Sequence, residues 1–197
     1  GDPEAAVRAY RPMADRIAED VGVPVDVRAW SDYTALAAAV TTHEADLALL
    51  PPLAYVKARA AAPCLSLLRA RVTEGTVHYS GYIVVRKDGR FRDVASLAGA
   101  RIGFVTPQSA SGYLFSRAAL ADAGLDPARD FANARFLGTH EAVVQAVLQG
   151  DVDAGATFFE GIQVARATGA GTGDLRILAI TRAIPSDAFV ARPGLTP

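Results

Sequence analysis

The apolar positions of the N-terminal segment fall on one helical face. Val7, Tyr10, Met13, Ile17 and Val21 recur at spacings of three and four, the period of an amphipathic helix. Asp2-Pro3-Glu4 supplies its start, Pro12 predicts a kink, and Gly22 ends it. VPVDVRAW, residues 23–30, then alternates apolar with polar positions as a strand does. Ser31-Asp32 caps a second helix running through Leu36 and Val40, and ADLALL reads as a short buried strand. Pro51-Pro52 breaks that strand ahead of a helix over LAYVKARAA. CLSLLRARV and HYSGYIVVRKD are further strands, the latter ending in a Lys87-Asp88-Gly89 turn.

The second half repeats this grammar. RIGFVT is a strand, PQSASG a loop, and YLFSRAALADAG a helix closed by Gly124. ARFLG is a strand, THEAVVQAVLQG a helix closed by Gly150, and VDAGAT a strand. Alternating strands and helices predict an α/β fold, its sheets mostly parallel with helices on both faces. There is also an internal echo. His43-Glu44-Ala45-Asp46 between a helix and the strand LALL is matched by Gly150-Asp151-Val152-Asp153 between a helix and AGAT. Two such units predict two α/β lobes rather than one continuous sheet.

Composition narrows the function classes. With 51% hydrophobic and 21% charged residues, the chain has the material for a core and not the signature of disorder. Lys+Arg number 20 against 21 Asp+Glu, a net charge of −1, with no basic stripe of the kind that holds nucleic acid. No apolar run approaches the roughly 18 residues of a membrane span. The single cysteine excludes an intramolecular disulfide and a Cys-based zinc site; Cys64, within CLSLL, reads as a buried strand thiol. GDPEAAVRAY lacks the charged start and apolar stretch of a signal peptide, which by itself assigns no compartment.

The loop Thr106-Pro107-Gln108-Ser109-Ala110-Ser111-Gly112, between a strand and a helix, is the most informative segment. Free backbone N–H groups, the positive end of the helix dipole and two serine hydroxyls suit an oxyanion such as phosphate, phosphonate or carboxylate. The same residues also serve as an ordinary capped helix start. Neither GxxxxGK[ST] nor GxSxG is present. His140-Glu141 opens a helix at an equivalent strand-to-helix turn, and such turns gather at the ligand-binding ends of open sheets. Val144 breaks the HExxH pattern, and His43, His78 and His140 are scattered, so no metal site is expected. Glu160 reads as a first-turn carboxylate, Asp187 as a turn residue, and Tyr79 and Tyr82 as strand aromatics.

Taken together, DYTALAAAV with DLALLPPLAYV, HYSGYIVVRKD, PQSASGYLF, GTHEAVVQAVLQGDVDAG and IPSDAFVARP resemble, in order and spacing, one family. It is that of the phosphate/phosphite/phosphonate-binding (PhnD-like) periplasmic solute receptors of ABC importers, over about Asp2 to Pro193. The resemblance implies a two-lobed type II periplasmic-binding-protein clamp with the ligand in the interlobe cleft. Residues 1–79 with 182–197 would form one lobe and 80–181 the other. It implies a head-group shell of Ser109, the Ala110 backbone, Ser111 and His140, with Tyr79 packing beside it. Glu160 and Asp187 match carboxylates that hold the amino group of an aminoalkylphosphonate such as 2-aminoethylphosphonate. Ala110 stands where the family usually has a hydroxyl residue, and Leu50 where some members carry a cleft aromatic. The family also has a strand before residue 1 and helices beyond residue 197.

The function so implied is capture of a phosphonate-type oxyanion by a monomer outside the cytoplasm, for delivery to an ABC permease. No cofactor and no nucleic acid enter this reading. A sensory input domain on the same clamp is the alternative. An enzyme is a weaker one, since no activated nucleophile, metal or cofactor fingerprint can be assembled.

Overall fold

The computed structural model describes residues 3–62, 65–69 and 76–195, and Cys64 lies outside them. The chain forms two compact units, Gly1–Leu68 with Ala188–Pro197, and Arg69–Asp187. Both are α/β.

In the first unit, α1 (Pro3–Val21) contains Pro12, and Gly22 follows it in the left-handed region at φ 74°. α1 buries Ala14, whereas Tyr10, Met13 and Val21 of its apolar stripe stay exposed. α2 (Tyr33–Thr41) starts where the sequence places it: the Asp32 carboxylate accepts from the backbone N–H groups of Thr34 and Ala35 at 2.8 and 2.9 Å. β1 (Leu47–Leu50) is followed by α3 (Pro52–Ala61). β1 runs antiparallel to β10 (Ala188–Ala191), which also borders β2 (Leu65–Arg69). Small side chains let the helices sit close to this sheet: Ala37, Val40, Ala54 and Ala58 pack on Ala48, Leu50 and Val190. Leu50 is fully enclosed in that core.

Residues 23–30 depart from expectation. They form no ladder, so this segment is not a strand among the described residues. Alternation makes a segment eligible for a sheet, but membership requires a partner for its N–H and C=O groups.

The second unit is built on a five-stranded sheet in the order β6-β5-β7-β4-β8. Its members are β4 (Gly81–Arg86), β5 (Arg101–Phe104), β6 (Asn133–Phe136), β7 (Ala154–Phe158) and β8 (Leu175–Ile180). The sheets are mixed rather than mostly parallel. β5 is parallel to β6 and β7, where helices make the crossovers, but β4 is antiparallel to both β7 and β8. β4 enters the unit against the direction of the βαβ strands, and the helix–strand alternation carried no trace of that reversal. A short antiparallel pair, β3 (His78–Tyr79) with β9 (Ile184–Pro185), completes the strands.

β4 is buried on both faces, as a run of Ile83-Val84-Val85 allows. Ile83 and Val85 join Phe91, Leu97, Ile102, Phe104 and Leu120 on one side. Val84 joins Ala146, Val147 and Val152 on the other, under α5 (His140–Gln149). α4 (Phe115–Asp122) and α6 (Phe159–Ala167) complete the helices. At one end of the sheet, Arg101 ties β5 to β7, its backbone N–H donating to Asp153 at 2.8 Å and its guanidinium pairing with the same carboxylate.

α5 can approach β7 because Gly155 lacks a side chain. A methyl group there would lie 2.6 Å from Val143 Cγ1 and 2.8 Å from Val147 Cγ2. Both neighbours are β-branched and stiff, so they cannot rotate away. Gly155→Ala is expected to cost about 1–3 kcal/mol by overpacking, read as a lower urea midpoint with an unchanged m-value.

Candidate functional site

The chemistry-bearing turns follow the carboxyl ends of β5, β6 and β7. After β5, the Val105 N–H donates to the Gly112 carbonyl at 3.1 Å and closes the loop 105–112. Ser109 is the cap: its hydroxyl oxygen accepts from the Gly112 N–H at 3.0 Å. The capped helix start is therefore real, and it leaves the Ser109 O–H free to donate elsewhere. The turn is widened. Residues Ala110–Leu114 form a π turn, with the Phe115 N–H bonded to the Ala110 carbonyl. The Ser116 hydroxyl donates to the Ser111 carbonyl at 2.7 Å. Ser109, Ala110 and Ser111 are all buried, and the Ser111 hydroxyl makes no hydrogen bond among the described residues. Gly112 is required here, since a methyl group would lie 2.3 Å from Val105 Cγ2.

After β6, the Thr139 hydroxyl oxygen caps α5 by accepting from the Ala142 N–H at 3.1 Å, and Gly150 ends the helix at φ 78°. His140, the first residue of α5, is partly buried. Its Nδ1 lies 3.2 Å from the hydroxyl oxygen of Thr157 on β7, and its ring centroid is 4.4 Å from that of Phe158. Burial pushes the imidazole pKa down to about 4, so the ring is neutral at physiological pH.

Phe158 joins the parts. Its ring also meets Tyr79 at 5.7 Å, edge to face. Its backbone pairs with Gly81, and a methyl group at Gly81 would lie 2.9 Å from the Ser111 carbonyl oxygen. Tyr79, Phe158, His140 and the Ser109–Ser111 turn thus form one connected cluster. Gly161, in the first turns of α6, seals its other side: a methyl group there would lie 2.6 Å from His140 Cβ and 2.8 Å from Thr157 Oγ1.

The acidic residues are placed less tightly. Glu160, partly buried in the first turn of α6, precedes Gly161. Asp187 follows β9, whose Ile184 pairs with Tyr79. It is partly buried and has no hydrogen bond or ion pair among the described residues. Desolvation raises its pKa above the ordinary carboxylate value. Sequence reading missed Thr157, Phe158, Gly81 and Gly161. A glycine inside the strand HYSGYIVV and another inside the helix FFEGI were the available signals, because each marks a close approach.

Among the described residues, no group of three or more His, Cys, Asp or Glu could hold a metal ion, and no helix is long and apolar enough to cross a membrane. Two open depressions, of about 450 and 430 Å³, lie elsewhere, one along α6 near Gln163 and Arg166 and one near Arg86 and Asp153.

Two α/β units with mixed sheets flanked by helices, and strand-to-helix turns rich in neutral donors, define the type II periplasmic-binding-protein fold. The family described as ABC transporter, phosphonate, periplasmic substrate-binding protein matches residues 1–197, and the chain belongs to it. A curated relative, the phosphate-import protein PhnD of Mycolicibacterium smegmatis, is 28% identical over 159 residues, covering 76% of this chain. The chain spans half the length of that relative. Among solved structures, a binding protein component of an ABC phosphonate transporter from Pseudomonas aeruginosa shares the fold. It matches with a TM-score of 0.85 at 21% identity, over 100% of this chain and 67% of its own. PhnD1 from Prochlorococcus marinus, in complex with methylphosphonate, matches with a TM-score of 0.79 at 23% identity, over 94% and 70%.

The neutral imidazole has a consequence for stability. Folded His140 titrates near 4, whereas the unfolded residue titrates near 6.5. Between these values the unfolded chain binds the extra proton, so stability falls as pH falls through that window and the effect levels off below it. A shift of this size corresponds to up to about 3 kcal/mol. Urea unfolding of the apo protein from pH 7 to 4 is expected to show this loss, reduced in His140→Gln. Parallel profiles for the two proteins would show that His140 is not held neutral by the fold.

Proposed function

We propose that the protein captures a small phosphorus oxyanion outside the cytoplasm, in the periplasm or an equivalent compartment, and delivers it to the permease of an ABC importer. Membership of the family supports the transport role. The observation that carries the ligand class is the neutral donor shell. The Ser109 and Ser111 hydroxyls and His140 stand at strand-to-helix turns, and no Lys or Arg lies in the Ser109–Gly112 loop. Directed N–H and O–H donors at helix starts bind oxyanions without a fixed counter-charge. Ala110 contributes backbone only, one hydroxyl fewer than the family pattern.

Within this class the reading favours an aminoalkylphosphonate such as 2-aminoethylphosphonate. A desolvated carboxylate without a partner is costly, and it would repel a simple oxyanion. Asp187 is such a group, and Glu160, at the head of α6, is the second carboxylate of the pair. An ammonium group on the ligand would offset the desolvation of Asp187 and pair with Glu160. Tyr79 would pack against the bound molecule.

The ligand class is tested by a melting panel of phosphate, phosphite, methylphosphonate, ethylphosphonate and 2-aminoethylphosphonate. A ligand at 1,000 times its Kd adds about 4 kcal/mol, which for a domain of this size raises Tm by roughly 8–16 °C. The largest shift is expected from 2-aminoethylphosphonate. A panel in which only carboxylates or sugars raise Tm would overturn the ligand class.

Asp187→Asn separates stability from binding. Without ligand, removing the unpaired carboxylate is expected to raise Tm at pH 7, because a group whose folded pKa is raised destabilises the fold above that pKa. The same substitution is expected to weaken 2-aminoethylphosphonate about 10-fold or more while sparing ethylphosphonate, a loss of one charge-assisted hydrogen bond. Equal binding of the two ligands by the wild-type protein would remove the amine site and leave the oxyanion site standing.

A further inference from the structure

We propose that Thr157 is a positioning residue that fixes the tautomer of His140, so that Nε2 carries the proton and donates it to the bound oxyanion. The inference rests on the oxyanion site proposed above, and it assigns a role to a residue that itself touches no ligand.

Thr157 lies on β7 with no exposed surface, and its backbone pairs with Tyr82. Among the described residues its hydroxyl has a single polar neighbour, Nδ1 of His140 at 3.2 Å. A neutral imidazole carries one N–H, and the hydrogen bond made by one nitrogen decides the state of the other. Two arrangements are available. If Nδ1 carried the proton and donated to Thr157, the hydroxyl's own hydrogen would be buried with no acceptor, at a cost of about 1–3 kcal/mol. If Thr157 donates to Nδ1, both groups are satisfied and the proton sits on Nε2.

The surroundings agree. The buried side-chain polar atoms without a partner among the described residues are Thr106 Oγ1, Arg176 Nε and Ser186 Oγ. Nε2 of His140 is not one of them, and among the described residues it has no hydrogen bond that would compete with a ligand oxygen. Gly161 of α6 lies against the pair, and a methyl group there would come 2.8 Å from Thr157 Oγ1. Phe158 packs against the ring and limits its rotation.

The test has a spectroscopic arm that needs no ligand. Long-range proton–nitrogen NMR of the protein with ¹⁵N-labelled histidine, assigned with His140→Gln, is expected to show a protonated Nε2 and an unprotonated, hydrogen-bonded Nδ1. A protonated Nδ1 overturns the proposal. In Thr157→Val, which keeps the shape and removes the donor, the Nδ1 resonance is expected to shift toward that of a nitrogen without a hydrogen bond. Thr157→Ser is expected to restore it. The binding arm uses inorganic phosphate and methylphosphonate in calorimetry. Thr157→Val is expected to weaken whichever of them binds by about 10-fold, Thr157→Ser to recover it, and Thr157→Val to add nothing in a His140→Gln background. An undiminished loss in that background would show that Thr157 acts independently of His140 and would overturn the proposal. Failure of both anions to bind the wild-type protein counts against the oxyanion site, while the NMR arm still decides the tautomer.

Discussion

The candidate site depends on one strand. β7 reads AGATF, and nearly every residue of it serves a neighbour by its size. Ala154 and Ala156 face the core that β4 and β5 build, and Gly155 lets α5 sit on the sheet. Thr157 meets His140, and Phe158 meets both His140 and Tyr79. β7 lies between β5 and β4, so its backbone is bonded on both sides. Such a strand cannot shift without breaking two ladders. The first residue of α5 is thereby held in place by a segment with little side-chain bulk and no freedom to slide. A larger residue at 155 would lift α5, and with it His140, off the strand that orients the ring.

Around this strand, in the proposed oxyanion site, close approaches would do what charge does in other anion sites. Gly81 brings the entry of β4 against the Ser111 carbonyl, Gly112 brings the loop against Val105, and Gly161 brings α6 against His140. Each contact fixes the position of a neutral donor rather than adding a charge. Preorganised donors lose little on binding, because their orientation has already been set in the folded state. The opposite balance holds at Asp187, where folding leaves a carboxylate desolvated and, among the described residues, unpaired. Stability given up there is what a cationic ligand group would restore.

Much of this frame was legible in the sequence. Asp32 and Thr139 at helix starts and Gly22, Gly124 and Gly150 at or near helix ends all sit where the pattern placed them, because capping is local chemistry. Residues 23–30 show the limit of such reading, since period-two alternation says nothing about whether a partner strand is adjacent. The reversed direction of β4 was illegible for the same reason: direction within a sheet is a tertiary property. The site divides along this line. Ser109 and His140 stood out as candidates from their strand-to-helix turns, which are local. Thr157 and Gly161 matter only through a residue on another element, and no spacing along the chain encodes that contact.

The neutrality of the shell bears on how such a site works. A buried guanidinium would bind an oxyanion through a charge that persists at every pH, and would leave a costly unpaired ion when the site is empty. A neutral imidazole with a fixed tautomer supplies one directed donor and leaves no charge behind. Because His140 titrates near 4, its donor state is constant from about pH 5 upward. In the proposed role, a change of affinity across that range then reflects the ionisation of the ligand and of Asp187, whose pKa burial raises, not of His140. A receptor that must release its ligand as well as capture it is served by donors of this kind, whose strength lies in geometry and is lost when that geometry opens.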